Sequence, residues 1–168
     1  MIDPTTGQTL LVWTVRFAVA CYIARLLVAR CRVVGQVPKQ SELVWWAIGC
    51  LAYLAHVVLA FTFTHDWSHR HAWEHTAIET ERLTGIRRGE GLWVNYVFTL
   101  TWCFDVIRLA FARSQMRATK RGVDFTVHAF FAFIIFNATV VFGPALYRIL
   151  AIPIFFALIL SGRMKQNP

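Results

Sequence analysis

Apolar and polar residues follow one another in long blocks along this chain. Apolar stretches occupy residues 10–29, 43–64, 92–112, 125–142 and 145–160, with polar segments between them. The first four stretches have the roughly 17–25 residues that a membrane-spanning helix requires. The pattern therefore predicts an all-α, polytopic integral membrane helix bundle that forms a single transmembrane helical domain over residues 1–168.

The fifth apolar stretch is the shortest and follows Gly143 and Pro144. It is either a fifth span after a tight turn or a kinked extension of the fourth helix, because proline both ends and bends helices. Lys and Arg collect on the cytoplasmic side of a membrane. The basic residues that flank the stretches are Arg30, Arg32, Lys39, Arg113, Arg117, Lys120, Arg121, Arg163 and Lys165. Five spans place all of them in the cytoplasm, so we predict five spans in a bacterial inner membrane, with the N-terminus and residues 65–91 outside and the C-terminus inside.

The composition agrees with lipid as the main solvent of the chain. Apolar residues make up 57% and charged residues 15%, whereas a soluble domain of this size has too little interior for so much apolar surface. Basic cytoplasmic loops account for the formal net charge of +8, so we expect the lipid bilayer as a partner and no nucleic acid.

The four cysteines are scattered and form no C-x-x-C motif. We expect them to act as small hydrophobic side chains without a disulfide framework.

The polar segment after the second apolar stretch contains most of the candidate chemistry. Residues 65–75 hold four of the six histidines, at His65, His69, His71 and His75. Residues 64–83 contain neither glycine nor proline, so we predict a helix through them. On that helix His65, His69, His75 and Glu79 share a face of roughly 120°, because residues four apart lie one turn apart.

Imidazole pairs at this spacing are typical of transition-metal sites. Histidine suits Zn, Cu and Fe, and an added carboxylate favours Fe or Zn. We therefore predict His65, His69, His71, His75 and Glu79 as candidate metal ligands. Because His65 and Glu79 lie about 21 Å apart along a helix, one ion cannot contact them all, and a pair requires further ligands from another segment or subunit. The alternatives are a surface helix that contacts water or a partner, and a pH-sensitive patch.

Over these eleven residues the two H-x-x-x-H spacings resemble the histidine boxes of the membrane-bound di-iron hydroxylases and desaturases. The resemblance implies iron ligation by the boxed histidines on the cytoplasmic side. Members of that family carry more histidines, in several boxes. This chain has six histidines and no His-His doublet, and its cluster is predicted to lie outside, so we do not assign it to that family.

His56 is a second candidate site, within the second apolar stretch. Gly49, Ala52 and Ala60 flank it on the same helix face. Small residues let another helix, or a flat macrocycle, approach the backbone closely. His56 is therefore a candidate axial ligand for a haem or a chlorophyll-type ring, and the alternative is a buried histidine that hydrogen-bonds to a neighbouring helix.

Charged residues inside the spans are costly and usually face the interior of a bundle. Asp105 shares a helix face with Arg108, and Arg25 lies near the same end of its own span. We expect Asp105 to form a structural ion pair with Arg108 or Arg25. Arg16 lies deeper than a snorkelling residue usually does.

Three functional interpretations follow from these features. The first is a metal-dependent or redox membrane protein, whether or not it is an enzyme. The second is a non-catalytic subunit of a larger membrane complex, formed with other membrane subunits or with further copies of this chain. The third is a small transporter or channel in which Arg16, His56, Asp105 and Asn137 line a path. The sequence contains no serine-nucleophile motif, phosphate-binding glycine loop or dinucleotide fingerprint, which argues against ordinary hydrolases, kinases and soluble dehydrogenases.

Overall fold

The computed structural model describes residues 4–30, 37–116 and 121–141, and all regular structure in these ranges is helical. The elements are α1 (Pro4–Arg30), α2 (Gln40–Phe63), α3 (His69–Thr84), α4 (Gly91–Ser114), α5 (Arg121–Phe136) and a π-helical turn (Asn137–Val141). Within these ranges, four segments are long and apolar enough to cross a membrane: Thr5–Ala29, Gln40–Phe63, Gly91–Ser114 and Gly122–Thr139. The prediction of an all-helical membrane protein is confirmed at this level. The predicted fifth span, at residues 145–160, lies outside the described residues.

The chain separates into two compact units, Met1–Val127 and His128–Pro168. In the first unit α1 packs along α2, α2 also contacts α4, and α3 contacts α4. In the described part of the second unit, α5 continues into the π-helical turn. There Asn137 Nδ2 and Thr139 Oγ1 donate to the carbonyls of Phe133 and Ile135, at 2.8 and 2.7 Å. These polar side chains are thus satisfied by their own helix, which lets them lie in an apolar span.

The two faces of α4 illustrate how lipid replaces water as the solvent. Large apolar side chains three or four residues apart are strongly exposed, at Leu100, Phe104, Ile107 and Phe111. The opposite face is buried and includes Phe98, Trp102, Asp105 and Leu109. A helix in a soluble protein exposes polar side chains and buries apolar ones. α4 instead exposes an apolar stripe and buries a carboxylate. This arrangement is the one expected of a helix that faces lipid on one side and protein on the other.

A buried ionic cluster lies at the end of the first unit where α1 finishes and α2 begins. Asp105, 1% exposed, accepts hydrogen bonds from Trp46 Nε1 at 2.9 Å and from Arg108 Nε at 2.7 Å. Arg25, 2% exposed, lies 4.0 Å from the same carboxylate, and its guanidinium lies 4.3 Å from the centre of the Trp46 ring. Arg108 also donates to Asp124 at 2.7 Å. The predicted pairing of Asp105 with Arg25 and Arg108 is confirmed.

Two further charged side chains complete this picture of the spans. Glu42 is fully buried and accepts a hydrogen bond from the backbone N–H of Lys39 at 3.2 Å, which caps the start of α2. Arg16 is exposed, and its guanidinium lies 5.2 Å from the centre of the Trp13 ring. A cation over an aromatic face is stabilised by the ring quadrupole. This contact stabilises the Arg16 guanidinium on the exposed face of α1.

Candidate metal site between α2 and α3

A sharp turn at residues 64–68, the α2–α3 turn, separates the two helices that hold the histidines. α2 ends at Phe63, and the backbones of Asp66 and Trp67 are left-handed, with φ of 48° and 54°. α3 then begins at His69, with Ser68 as its N-cap: the Ser68 hydroxyl accepts a hydrogen bond from the His71 N–H at 3.3 Å. The continuous helix predicted through residues 64–83 is therefore interrupted, because two left-handed residues cannot continue a right-handed helix.

This turn brings the ring of His65 against that of His75. Their ring centres lie 5.3 Å apart, with an interplanar angle of 69°. The ring of Phe61 packs edge-on against His65, with centres 5.6 Å apart. His65 Nδ1 is buried, and no described residue forms a hydrogen bond with it. The structure therefore pairs two of the predicted ligands, although they lie ten positions apart rather than four.

The remaining predicted ligands contact other groups. His69 Nδ1 and the Tyr96 hydroxyl form a hydrogen bond at 3.0 Å, which links the start of α3 to α4. His71 Nδ1 lies 3.8 Å from the Asp66 carboxylate, and Glu79 forms an ion pair with Arg82 at 2.9 Å. Within the described ranges, no three His, Cys, Asp or Glu side chains converge in a way that could hold a metal ion. Of the five predicted ligands, the structure brings the rings of His65 and His75 into contact.

Burial and two neighbouring imidazoles lower the pKa of His65, and one carboxylate opposes them. Desolvation, followed by the nearby imidazoles of His75 and His71, lowers the pKa of His65 below its usual 6.5, and the Asp66 carboxylate opposes this. A lowered pKa keeps the imidazole neutral near pH 7. Neutral imidazole is the form that binds metal ions.

The segment after α3 holds that helix in place. Gly85 ends α3 in the left-handed conformation, with φ of 74°, and its N–H donates to the Glu81 carbonyl. Arg87 then reaches back to form ion pairs with Glu74 and Glu81 on α3. These contacts attach the returning chain to the helix that carries His75. The position of His75 is therefore supported from both ends of α3.

His56, the predicted ring-cofactor ligand, lies inside the bundle. Its Nδ1 is 2.9 Å from the Leu11 carbonyl of α1, and its ring stacks beside that of Tyr53 with centres 5.9 Å apart. The small-residue face that flanks it is occupied at Gly49 by Trp102, Cys21 and the Ala18 carbonyl. A hydrogen bond through Nδ1 leaves Nε2 as the coordinating nitrogen. Ligation of a haem or chlorophyll-type ring by His56 stays a prediction.

Two features of this site were not identified from the sequence. The hydrogen bond between the Tyr96 hydroxyl and His69 was not predicted, because the two residues lie 27 positions apart in different helices. The break at Asp66 and Trp67 carries no glycine or proline, although Ser68 is a typical helix N-cap residue and marks the start of α3.

Comparisons with protein-family models, with curated proteins and with solved structures found no match to this chain.

Proposed function

We propose that this chain is an integral membrane protein that binds a divalent transition-metal ion through His65 and His75. The observation that carries the proposal is the facing pair of imidazoles, with ring centres 5.3 Å apart and with His65 Nδ1 buried and not hydrogen-bonded to any described residue. Two imidazoles on one tetrahedral zinc ion, with Zn–N bonds of about 2.0–2.1 Å, place their ring centres about 5 Å apart. The ring separation of the pair is therefore compatible with two ligands on one ion.

The local backbone supports this assignment. Trp67 is bulky and left-handed, a conformation that costs free energy and that occurs preferentially at binding and catalytic sites. The turn that it forms is what places His65 opposite His75. Two protein ligands leave further coordination positions for water, for a substrate or for a group from a partner subunit. Zn, Cu and Fe all suit imidazole ligands, and the pair does not select among them.

The metal content of the purified protein tests the proposal. We expect about one zinc ion per chain after exposure to excess zinc, and an affinity about 100-fold weaker or more in the His65→Ala and His75→Ala variants, since four ligands together contribute about 10–16 kcal/mol. His69→Ala is the matched control and should keep the metal, because His69 bonds to Tyr96 instead. Mass-spectrometric metal analysis and competition with a coloured chelator measure both quantities. Metal-free wild-type protein that co-purifies with larger membrane subunits would favour the accessory-subunit interpretation instead.

The proposed site also predicts how metal binding depends on pH. Because the pKa of His65 lies below 6.5, protons compete with the metal at this ligand only as the pH falls below about 6.5, and we expect binding to be weaker at about pH 5 than at about pH 7. His71 lowers the pKa of His65 and Asp66 raises it. In the metal-free protein, the titration midpoint of His65, followed by NMR of its imidazole protons, should therefore lie at higher pH in His71→Gln and at lower pH in Asp66→Asn. Equal midpoints in the three proteins would contradict this electrostatic account.

We further propose that the metal site faces the extracytoplasmic side of the membrane. The support is the distribution of Lys and Arg, which collect after the C-terminal ends of α1 and α4. Basic residues mark the cytoplasmic side of a membrane. The metal site, between α2 and α3, would then lie on the other side. In a cysteine-free background, Arg70→Cys should react with a membrane-impermeant maleimide added to intact cells, because Arg70 is exposed. Gln115→Cys, exposed at the other end, should react only after the cells are permeabilised. The reverse labelling pattern would show that the protein has the opposite orientation in the membrane. It would leave the proposal of metal binding by His65 and His75 unaffected.

A further inference from the structure

Two thiols from different helices meet in the middle of the first unit. The Sγ atoms of Cys50 on α2 and Cys103 on α4 lie 3.8 Å apart, within the range of a thiol–thiol hydrogen bond. Cys50 is 6% exposed and Cys103 is half-buried. Both residues are reduced in the structure. A disulfide requires the sulphurs to come within about 2.05 Å, so the two atoms must approach by less than about 2 Å.

The depth of this pair limits what can react with it. Each cysteine lies about 15–20 Å from either end of its helix, at 1.5 Å per residue, which places the pair near the middle of the spans. A thiolate is costly in such surroundings, whereas a disulfide is neutral and carries no polar hydrogen. Charged, water-soluble oxidants do not reach this depth. A lipid-soluble oxidant does, and it can approach from the side of Cys103, which is only half-buried.

We propose that Cys50 and Cys103 form a redox-active dithiol that a lipid-soluble quinone oxidises to an intramolecular disulfide. The two S–H bonds break and one S–S bond forms. Two electrons and two protons pass to the quinone, which becomes the hydroquinone. The product joins α2, which leads directly to the α2–α3 turn, to α4, which carries Tyr96. This inference is independent of the proposed metal site, since neither cysteine contacts His65 or His75 in the described residues.

Thiol counting on the full-length protein in lipid vesicles tests the proposal. The vesicles are treated with a fully substituted, short-tailed ubiquinone analogue, quenched in acid, denatured and labelled with a maleimide that adds a resolvable mass to each thiol. The wild-type chain has four cysteines, so labelling should fall from four thiols to two, with one hydroquinone formed per chain and full recovery after reduction. A Cys21→Ala/Cys31→Ala variant should fall from two thiols to none.

The single variants Cys50→Ala and Cys103→Ala are the matched controls, and each should keep three labelled thiols after the same treatment. The oxidised wild-type chain should run as a monomer on a non-reducing gel, because the bond is intramolecular. Unchanged thiol counts with the quinone, disulfide-linked dimers in place of monomers, or an equal loss of thiols in Cys103→Ala would each overturn the proposal. The double alanine variant at Cys21 and Cys31 keeps the test valid should either single variant fail to fold.

Discussion

Replacing Asp105 with alanine is expected to lower the free energy of unfolding by about 3–5 kcal/mol, the usual cost of removing one partner from a buried ion pair. The Asp105 carboxylate accepts hydrogen bonds from Trp46 and Arg108 and lies 4.0 Å from Arg25. Its removal takes a charged acceptor away from Arg25 and Arg108, at a place where water cannot replace it. The loss of helical circular dichroism on titration of the detergent-purified protein with a denaturing detergent measures the change.

Two variants make this expectation specific. Glu81→Gln removes an exposed carboxylate that pairs with Arg87, and an exposed ion pair contributes only about 0–1 kcal/mol. Asp105→Asn keeps an acceptor for the Trp46 indole but removes the charge, so its stability should lie between that of the wild type and that of Asp105→Ala. If Asp105→Ala unfolds at the same denaturant concentration as Glu81→Gln, the buried cluster does not stabilise the bundle.

The partners of Asp105 show how far sequence reasoning reached in the spans. A carboxylate in an apolar stretch must be paired, and Arg108 lies three residues away on the same helix face, so this contact followed from helical geometry. Trp46 and Asp124 were not connected to the cluster from the sequence, nor was Glu42, whose charge acts on Arg25. Glu42 and Asp124 lie just outside the predicted apolar stretches, and the register between two helices depends on packing that no single helix specifies.

Helix ends were predicted less well than helix positions, for a physical reason. α1 begins at Pro4 rather than at residue 10, although residues 5–9 are largely polar. Thr9 donates its hydroxyl hydrogen to the Thr5 carbonyl at 2.9 Å, so the polar side chain is satisfied within the helix. Hydropathy alone ends a span where apolar residues end. The hydrogen-bonded helix continues for as long as its backbone is satisfied.

The arrangement of histidines depended on the turn that sequence patterns did not reveal. With a continuous helix, His65 and His69 would be neighbours four residues apart. The left-handed residues Asp66 and Trp67 instead turn the chain so that His65 faces His75. Left-handed tryptophan is rare, and no local sequence rule predicts it. The sequence therefore predicts which histidines lie in this segment. It does not predict that His65 contacts His75.

Gly49→Ala is expected to destabilise the bundle by about 1–3 kcal/mol, the typical cost of adding a methyl group to a well-packed interior. A Cβ atom at Gly49 would lie 2.9 Å from Trp102 Cζ2 and 3.0 Å from Cys21 Cβ, both closer than ordinary contacts. α1, α2 and α4 meet at this position, so relief requires that helices move apart. The shift in the denaturation midpoint, followed by circular dichroism in detergent, measures the effect.

The sign of this change is informative because alanine favours a helix over glycine by about 1 kcal/mol. Gly122→Ala on α5 is the matched control: a Cβ atom there meets nothing within 4 Å, so the variant should be neutral or slightly more stable.

The difference in stability between Gly49→Ala and Gly122→Ala also tests whether a cofactor has room beside His56. If Gly49→Ala is as stable as Gly122→Ala, the small-residue face beside His56 has room to spare, and a flat cofactor could approach it. If Gly49→Ala is destabilised as expected, Trp102 and α1 already fill the space at Gly49, and a ring ligated by His56 must lie on another side of its imidazole.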